Sequence, residues 1–372
     1  MFKHLLKKAL VVCLCFGVFS CKKEKTTANE TAVNTPTETP TDHSILFSEF
    51  PETSNITFNT LFNFKEGIPN KLHIVDSTLV IHNRRSSNSN FLFYNYNLNS
   101  GNLSKGYISS GRGPNEILSS FSSGFTDTHL WIHDMALKKI VMIDRANVLP
   151  VQKDSIGFKE YKFNEHTAIR VALKDSLSYY GVENLTSEYK VSKMDLSTDT
   201  VVEEFGEFKE QRPETIPLEV YKQAYSPLIA LNPNEQKLML AYRHTDVVEI
   251  YNLDNKVSIN IQGPENFKPQ FEVGKNQNGG YMEYTDKTKL AFVNAATTKD
   301  YIYLLYSGST QKDNPDTFGL ANRIYVYNWD AKPIKEISFN KDVMHLSVSN
   351  NNKKIYSFDV KTGDVLEADI DL

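Results

Sequence analysis

Short apolar and aromatic runs, separated by clusters of Asn, Asp, Gly and Lys, recur along most of the chain. Leu79-Val80-Ile81, Leu130-Trp131-Ile132, Leu177-Ser178-Tyr179, Leu238-Met239-Leu240, Ile302-Tyr303-Leu304 and Ile355-Tyr356-Ser357 read as one strand met six times, at spacings of 51, 47, 61, 64 and 53 residues. A second strand follows most of them and often ends in Asp or Asn, as in Phe93–Asn97, Ile140–Asp144, Val191–Asp195, Val248–Asn252 and Ile324–Asn328. A polar turn and a third strand come next, as at Ile334–Phe339. Antiparallel units repeating every 45–60 residues are the pattern of propeller blades, so six anchors predict an all-β, six-bladed β-propeller over residues 46–372. A β-sandwich would also alternate strands, but it would not repeat six similar units.

The last anchor leaves 17 residues before the C-terminus, which is short for a blade. The strand-like stretch Asn55–Phe64 is expected to complete it, pairing the two ends of the chain and removing an exposed edge. Helix is scarce. Pro217–Tyr225 is the best candidate, with Leu218, Tyr221 and Tyr225 on one face, in an insertion expected to pack over one propeller face.

The first residues follow a different pattern. Lys3, Lys7 and Lys8 precede an apolar stretch, Ala9–Phe19, that is too short to span a bilayer, which takes about 20 residues. Val18-Phe19-Ser20-Cys21 then resembles a bacterial lipobox, so residues 1–20 read as a lipoprotein signal peptide and Cys21 as the lipid-attachment site. A plain secretory signal is the competing reading. Cys13 and Cys15 would leave with the signal, so Cys21 would be the sole cysteine, on a thioether-linked diacylglyceryl group with a further amide-linked chain such as palmitate. Residues 21–45 read as a Thr/Glu/Pro-rich tether, reaching about 25–30 Å. The expected location is the cell envelope, with the outer membrane favoured, facing the periplasm or the cell surface.

The chain of 372 residues is 23% charged and 40% hydrophobic, which excludes a multi-span membrane protein and a mostly disordered chain. Lys and Arg number 41 against 45 Asp and Glu, which excludes a basic nucleic-acid binder. Loss of the signal leaves 38 basic against 45 acidic residues, a formal charge of −7. Such a body does not lie on anionic lipid through its own surface.

Gly111-Arg112-Gly113-Pro114-Asn115-Glu116, after a first-blade strand, resembles the G-x-G-P-x-E signature of Bacteroidetes six-bladed propeller lipoproteins. Tyr225–Tyr242, Gln262-Gly263-Pro264-Glu265 and Tyr301–Gly308 are similar to the TolB-like branch of that group. The resemblance covers roughly residues 72–372 and implies a six-bladed propeller on a lipid anchor. That family carries no agreed activity.

Candidate chemistry is sparse. Arg112 offers a fork of donors suited to a carboxylate or phosphate near the propeller axis. Equally, it would pair with Glu116 or an Asp of the next blade and lock a turn. No Gly-Lys-Ser/Thr follows, so this is not a phosphate loop. Arg112, Glu116 and Tyr306 are the candidate ligand-binding residues. His129 and His133 lie four apart on a strand beside Asp134, and a metal would need a third ligand such as His73, His82, His244 or His345. No metal or other cofactor is expected. Gly-x-Ser-x-Gly elbows, aspartate boxes and EF-hand loops are absent from the sequence. Asp76-Ser77-Thr78, Asp154-Ser155-Ile156, Asp175-Ser176-Leu177 and Asp199-Thr200-Val201 resemble the O-glycan acceptor motif of exported Bacteroidetes proteins.

The expectation is therefore a binding or scaffold protein that presents its loops to an envelope protein, peptide or glycan. It predicts an exposed patch of Tyr, Phe and Arg on one face. The alternative, an envelope hydrolase or lyase, predicts convergent His, Asp, Glu and Arg at one channel mouth.

Overall fold

The computed structural model describes residues 43–84, 86–149, 156–163, 168–184, 187–208, 212–232, 234, 236–277 and 279–372. The expected signal peptide, Cys21 and the tether as far as residue 42 lie outside the described residues, as do Pro233 and Asp154-Ser155.

Three strands come first: β1 (His43–Leu46), β2 (Thr53–Ile56) and β3 (Asn59–Asn63). Blade 1 holds β4 (Pro69–Val75), β5 (Thr78–Asn83), β6 (Phe91–Asn97) and β7 (Tyr107–Ser109). Blade 2 holds β8 (Ser120–Phe125), β9 (His129–Asp134), β10 (Lys139–Asp144) and, after the one-turn α1 (Arg145–Val148), β11 (Lys159–Lys162). Blade 3 holds β12 (Arg170–Leu173), β13 (Ser178–Val182), β14 (Val191–Asp195) and β15 (Thr200–Phe205). Helix α2 (Leu218–Ala224) follows, then blade 4 with β16 (Pro227–Asn232), β17 (Lys237–Tyr242), β18 (Val247–Asn252) and β19 (Ser258–Gln262). A separate hairpin, β20 (Phe271–Asn276) and β21 (Gly279–Tyr284), leads to blade 5. Blade 5 holds β22 (Lys289–Thr297), β23 (Tyr301–Thr310), β24 (Ala321–Asn328) and β25 (Pro333–Val343). Blade 6 holds β26 (Ser347–Val348), β27 (Lys354–Asp359) and β28 (Asp364–Asp369).

The six sequence anchors are the second strands of the six blades, and the runs that follow them are the third strands. Both faces of these middle strands meet a neighbouring blade, so their side chains are buried on both sides. Leu79, Val80 and Ile81 are all fully buried, with Leu79 and Ile81 facing blade 6 and Val80 facing blade 2. Six hydrophobic clusters fill the six seams between neighbouring blades, including the seam from blade 6 back to blade 1, where Phe358 and Val365 meet Leu79 and Tyr94.

Closure goes further than the sequence predicts. Strand β3 pairs antiparallel with β28 as the outer strand of blade 6, as expected of Asn55–Phe64. Upstream of it, β2 adds in parallel to β25 at the rim of blade 5, and β1 adds in parallel to β19 at the rim of blade 4. The segment 43–64 is thus a strap across three blades. Its Phe50, Phe58 and Phe64 each insert into a successive seam. Strand β1 takes in His43, Ser44 and Ile45, the last three residues expected in the tether: Ile45 packs on the seam between blades 4 and 5, and the β19 backbone supplies partners.

Helix α2 starts at Pro217 and packs Val220 and Ala224 against Met282 of the inserted hairpin. Among the described residues no helix is long and apolar enough to cross a membrane.

Candidate functional site

Inner strands of a propeller run in one direction, so alternate connections share a face. The links from second to third strands, and from each outer strand to the next inner strand, lie together on what is called here the loop face. It carries residues 84, 86–90, 110–119, 135–138, 183–184, 187–190, 243–246 and 311–320, helix α2 and the β20–β21 hairpin. Among the described residues, four aromatic side chains are counted as exposed: Phe91, Phe121, Tyr189 and Tyr284. All four sit on the loop face or at a strand end beside it. Apolar side chains exposed on the opposite face are Leu103 and Leu177.

These rings are held in place. Tyr284 leans edge-on against His244, with ring centroids 5.3 Å apart, and against Phe318 at 5.9 Å. Phe121 lies under the Arg170 guanidinium at 5.6 Å. Buried Lys222 of α2 donates to the carbonyls of Asn184 (2.7 Å) and Tyr189 (2.9 Å), tying the Tyr189 loop to the helix.

A channel of about 710 Å³ opens on this face, lined by the inner strands of blades 1 to 5 and by Met344 and His345 of blade 6. Its described lining contains four cations, Lys71, Arg84, Arg170 and Arg243, and no carboxylate. Arg170 pairs with Glu183 behind it and donates to Ser226 Oγ at 2.9 Å. Glu183 holds φ = 59°, a left-handed conformation that is uncommon for Glu. Among the described residues Lys71 Nζ donates only to the Ser123 carbonyl, at 3.2 Å, and burial lowers its pKa to about 8. The Arg243 guanidinium makes no hydrogen bond or ion pair with the described residues, its Nε is fully buried, and burial beside Arg170 lowers its pKa.

Histidines surround the cations. Ser123 Oγ bridges His73 Nε2 (2.9 Å) and His82 Nδ1 (2.8 Å). His82 Nε2 and both ring nitrogens of His345 are buried without a hydrogen-bond partner; the Pro69 backbone near His345 does not meet bonding geometry. Burial, with Lys71 and Arg84 nearby, depresses His82 to about 3 and His345 to about 4. Both rings are neutral at pH 7, each carrying one donor and one acceptor. The lining thus has the cations and histidines of a hydrolase site without the carboxylates that the alternative reading required.

The residues singled out from sequence lie elsewhere. Arg112 is exposed, makes no hydrogen bond or ion pair with the described residues, and does not line the channel; the expected pairing with Glu116 or a neighbouring Asp is not formed. Glu116 turns back into its own loop, where Oε2 accepts the Gly113 N–H at 2.7 Å. The glycines serve close approach: a Cβ on Gly111 would stand 2.0 Å from that carboxylate, while Asn115 takes the positive φ of 59°. Asp134 of the next blade does lock the loop exit, accepting the Leu118 N–H (2.7 Å) and Ser119 N–H (3.1 Å). Tyr306 is fully buried, stacked on Tyr325 at 4.2 Å under the Arg323 guanidinium, so it offers a ligand no surface. His129 meets Asp144 at 3.3 Å, while His133 is buried four residues away, about 13 Å along the strand. Among the described residues no three His, Cys, Asp or Glu side chains converge as a metal site.

The channel histidines His82 and His345 entered the sequence reading only as metal ligands, and the cations Lys71, Arg84, Arg170 and Arg243 escaped it, because inner strands lack the apolar run of the middle strands. The Ser119-Ser120-Phe121-Ser122-Ser123 stretch was the available signal, a strand too polar for a seam.

Comparison with known proteins agrees with the architecture. None of the curated proteins compared matches the sequence. Among solved structures, a DUF4221-family protein from Bacteroides vulgatus is 11% identical, with a TM-score of 0.53, over 84% of this chain and 95% of its own. A Bacteroides fragilis protein described as exported is 12% identical, with a TM-score of 0.49, over 88% of this chain and 99% of its own. At 11% identity the likeness to the Bacteroides vulgatus protein speaks to fold alone. The model of the TolB-like six-blade propeller family matches residues 46–351. With that match, and six blades closed by an N-terminal strap, the chain belongs to the TolB-like six-bladed propeller family.

Proposed function

We propose that this protein is a lipid-anchored binding protein of the bacterial cell envelope, whose loop face recognises an envelope protein, peptide or glycan. A β-propeller supports a binding or scaffold role in general, since a rigid ring brings loops from every blade to one surface. The observation that carries the reading is the segregation of exposed rings: Phe91, Phe121, Tyr189 and Tyr284 share the face that carries Arg84, Arg112 and the cationic channel mouth. Tyr, Phe and Arg are the residue types enriched at interfaces. The anchor rests on the sequence pattern through Cys21, with the outer membrane as the favoured location. A hydrolase or lyase is the weaker reading, because the described channel lining holds neutral His82 and His345 but no carboxylate to orient either ring or to act as nucleophile.

The test is in-cell photo-cross-linking from two positions, Tyr284 on the loop face and Leu177 on the opposite face, read by mass spectrometry. A partner cross-linked from Tyr284, absent from Leu177 and weakened by Arg112→Ala supports the reading. Equal yields from both faces contradict it. Cys21→Ser, followed by loss of the lipid-modified N-terminal peptide and release from the membrane fraction, tests the anchor separately.

A further inference from the structure

We infer that the channel mouth is a binding site for a small organic anion, a carboxylate or phosphate drawn in by the cations that line it, Lys71, Arg84, Arg170 and Arg243. This goes beyond the docking of a macromolecule on the loop face and does not depend on it.

Four cations from blades 1, 3 and 4 meet one cavity with no described carboxylate in its lining. Among the described residues only Arg170 has a bonded acidic partner, Glu183, whose charge also reaches Arg243 without a bond to it. Arg243 is the decisive residue. Its guanidinium is mostly buried, faces the like charge of Arg170, and makes no hydrogen bond or ion pair with the described residues. A buried cation whose donors have no bonded partner destabilises a folded protein, and an anion seated on that fork of donors relieves it. The same holds for Lys71, whose ammonium has a single carbonyl acceptor.

Neutral donors complete the cradle. His82 Nε2, both His345 ring nitrogens and Ser122 Oγ are buried polar atoms without partners. Buried polar groups are ordinarily satisfied, so four such atoms on the walls of one channel call for a ligand or ordered water. The cavity, about 710 Å³, falls in the usual range for small-molecule sites. Below the cations its wall turns apolar, with Trp131, Leu173 and Leu228, which suits a ligand with an uncharged body. A monosaccharide-sized acid or phosphate ester fits these dimensions.

Isothermal titration of the mature protein with inorganic phosphate, D-glucuronate and neutral D-glucose tests the inference. Phosphate or glucuronate should bind, more weakly as salt is raised, and glucose should not. Phosphate alone would identify a phosphate group, and glucuronate alone a carboxylate. Arg243→Gln should weaken the bound probe at least tenfold while raising the melting temperature of the unliganded protein by about 2 °C or more. The rise separates a ligand-binding cation from a structural one, whose loss would lower stability. Exposed Arg84→Ala, which leaves the fold untouched, should weaken the probe at least threefold. No binding of either anion, or binding that both variants retain in full, overturns the inference.

Discussion

Replacing Lys71 by Met should stabilise the unliganded protein, by an amount that shrinks as pH rises. The ammonium titrates near 8 in the folded protein against 10.5 when solvated, a gap of about 2.5 produced by burial. At about 1.36 kcal/mol per unit, the folded state carries a cost of about 3 kcal/mol at pH 7, where both states are protonated. The channel admits water beside this half-buried side chain, so that figure is an upper bound. Between pH 8 and 10.5 the unfolded chain binds more protons at this position, and the cost fades with rising pH. At pH 9.5 about half of it remains.

The titratable groups facing Lys71 are His73, His82 and His345, with Arg84 acting on the last two. The three histidines are neutral throughout this range. Urea unfolding of wild type and Lys71→Met at pH 7, 8.5 and 9.5 reads the difference directly. Comparing the two proteins cancels the buried tyrosines, such as Tyr107, Tyr242 and Tyr327, whose raised pKa values act equally in both. A variant less stable than wild type at pH 7, or a difference that does not change with pH, would refute the reasoning.

Other consequences follow from particular contacts. Glu249 joins Lys190 of blade 3 at 2.6 Å and accepts the hydroxyls of Tyr242 (3.1 Å) and Tyr251 (2.8 Å), with both charges almost fully buried. Glu249→Ala should cost about 3–5 kcal/mol in urea unfolding by stranding the Lys190 cation, and Lys190→Met in the same protein should recover much of it. Phe58 of the strap is buried edge-on against Phe339 at 5.1 Å. Phe58→Ala should cost about 3–5 kcal/mol and raise protease sensitivity at the seam between blades 5 and 6; a loss below about 1 kcal/mol would mean the strap does not close the ring.

Legibility in the sequence followed burial. Middle strands such as Leu130-Trp131-Ile132 are pressed between two blades, so they appear as apolar runs that can be counted. Inner strands have one edge in the channel. In Ser120–Phe125, Ser123 bonds two histidines of the neighbouring blade, a contact set by three-dimensional proximity and invisible in local periodicity. The Gly-Arg-Gly-Pro loop was conspicuous because its glycines and Pro are unusual, yet what they secure is a turn closed by Glu116 and Asp134. Tyr306 stood out as part of an aromatic strand, and such strands are aromatic because they are core. Strands β1 and β2 were missed because they are short, lie on the rim, and carry mostly exposed or half-buried side chains.

The central claim is that the loop face is the functional surface. Its most direct test is partner binding by two variants of the anchored protein, Phe121→Ser with Tyr284→Ser on the loop face, and Leu103→Ser with Leu177→Ser on the opposite face. All four side chains are exposed, so both proteins should fold. The account predicts that the partner cross-linked through Tyr284 in the wild type binds the first variant at least tenfold more weakly and the second with unchanged affinity. Loss of binding in the second variant, with binding kept by the first, would contradict it.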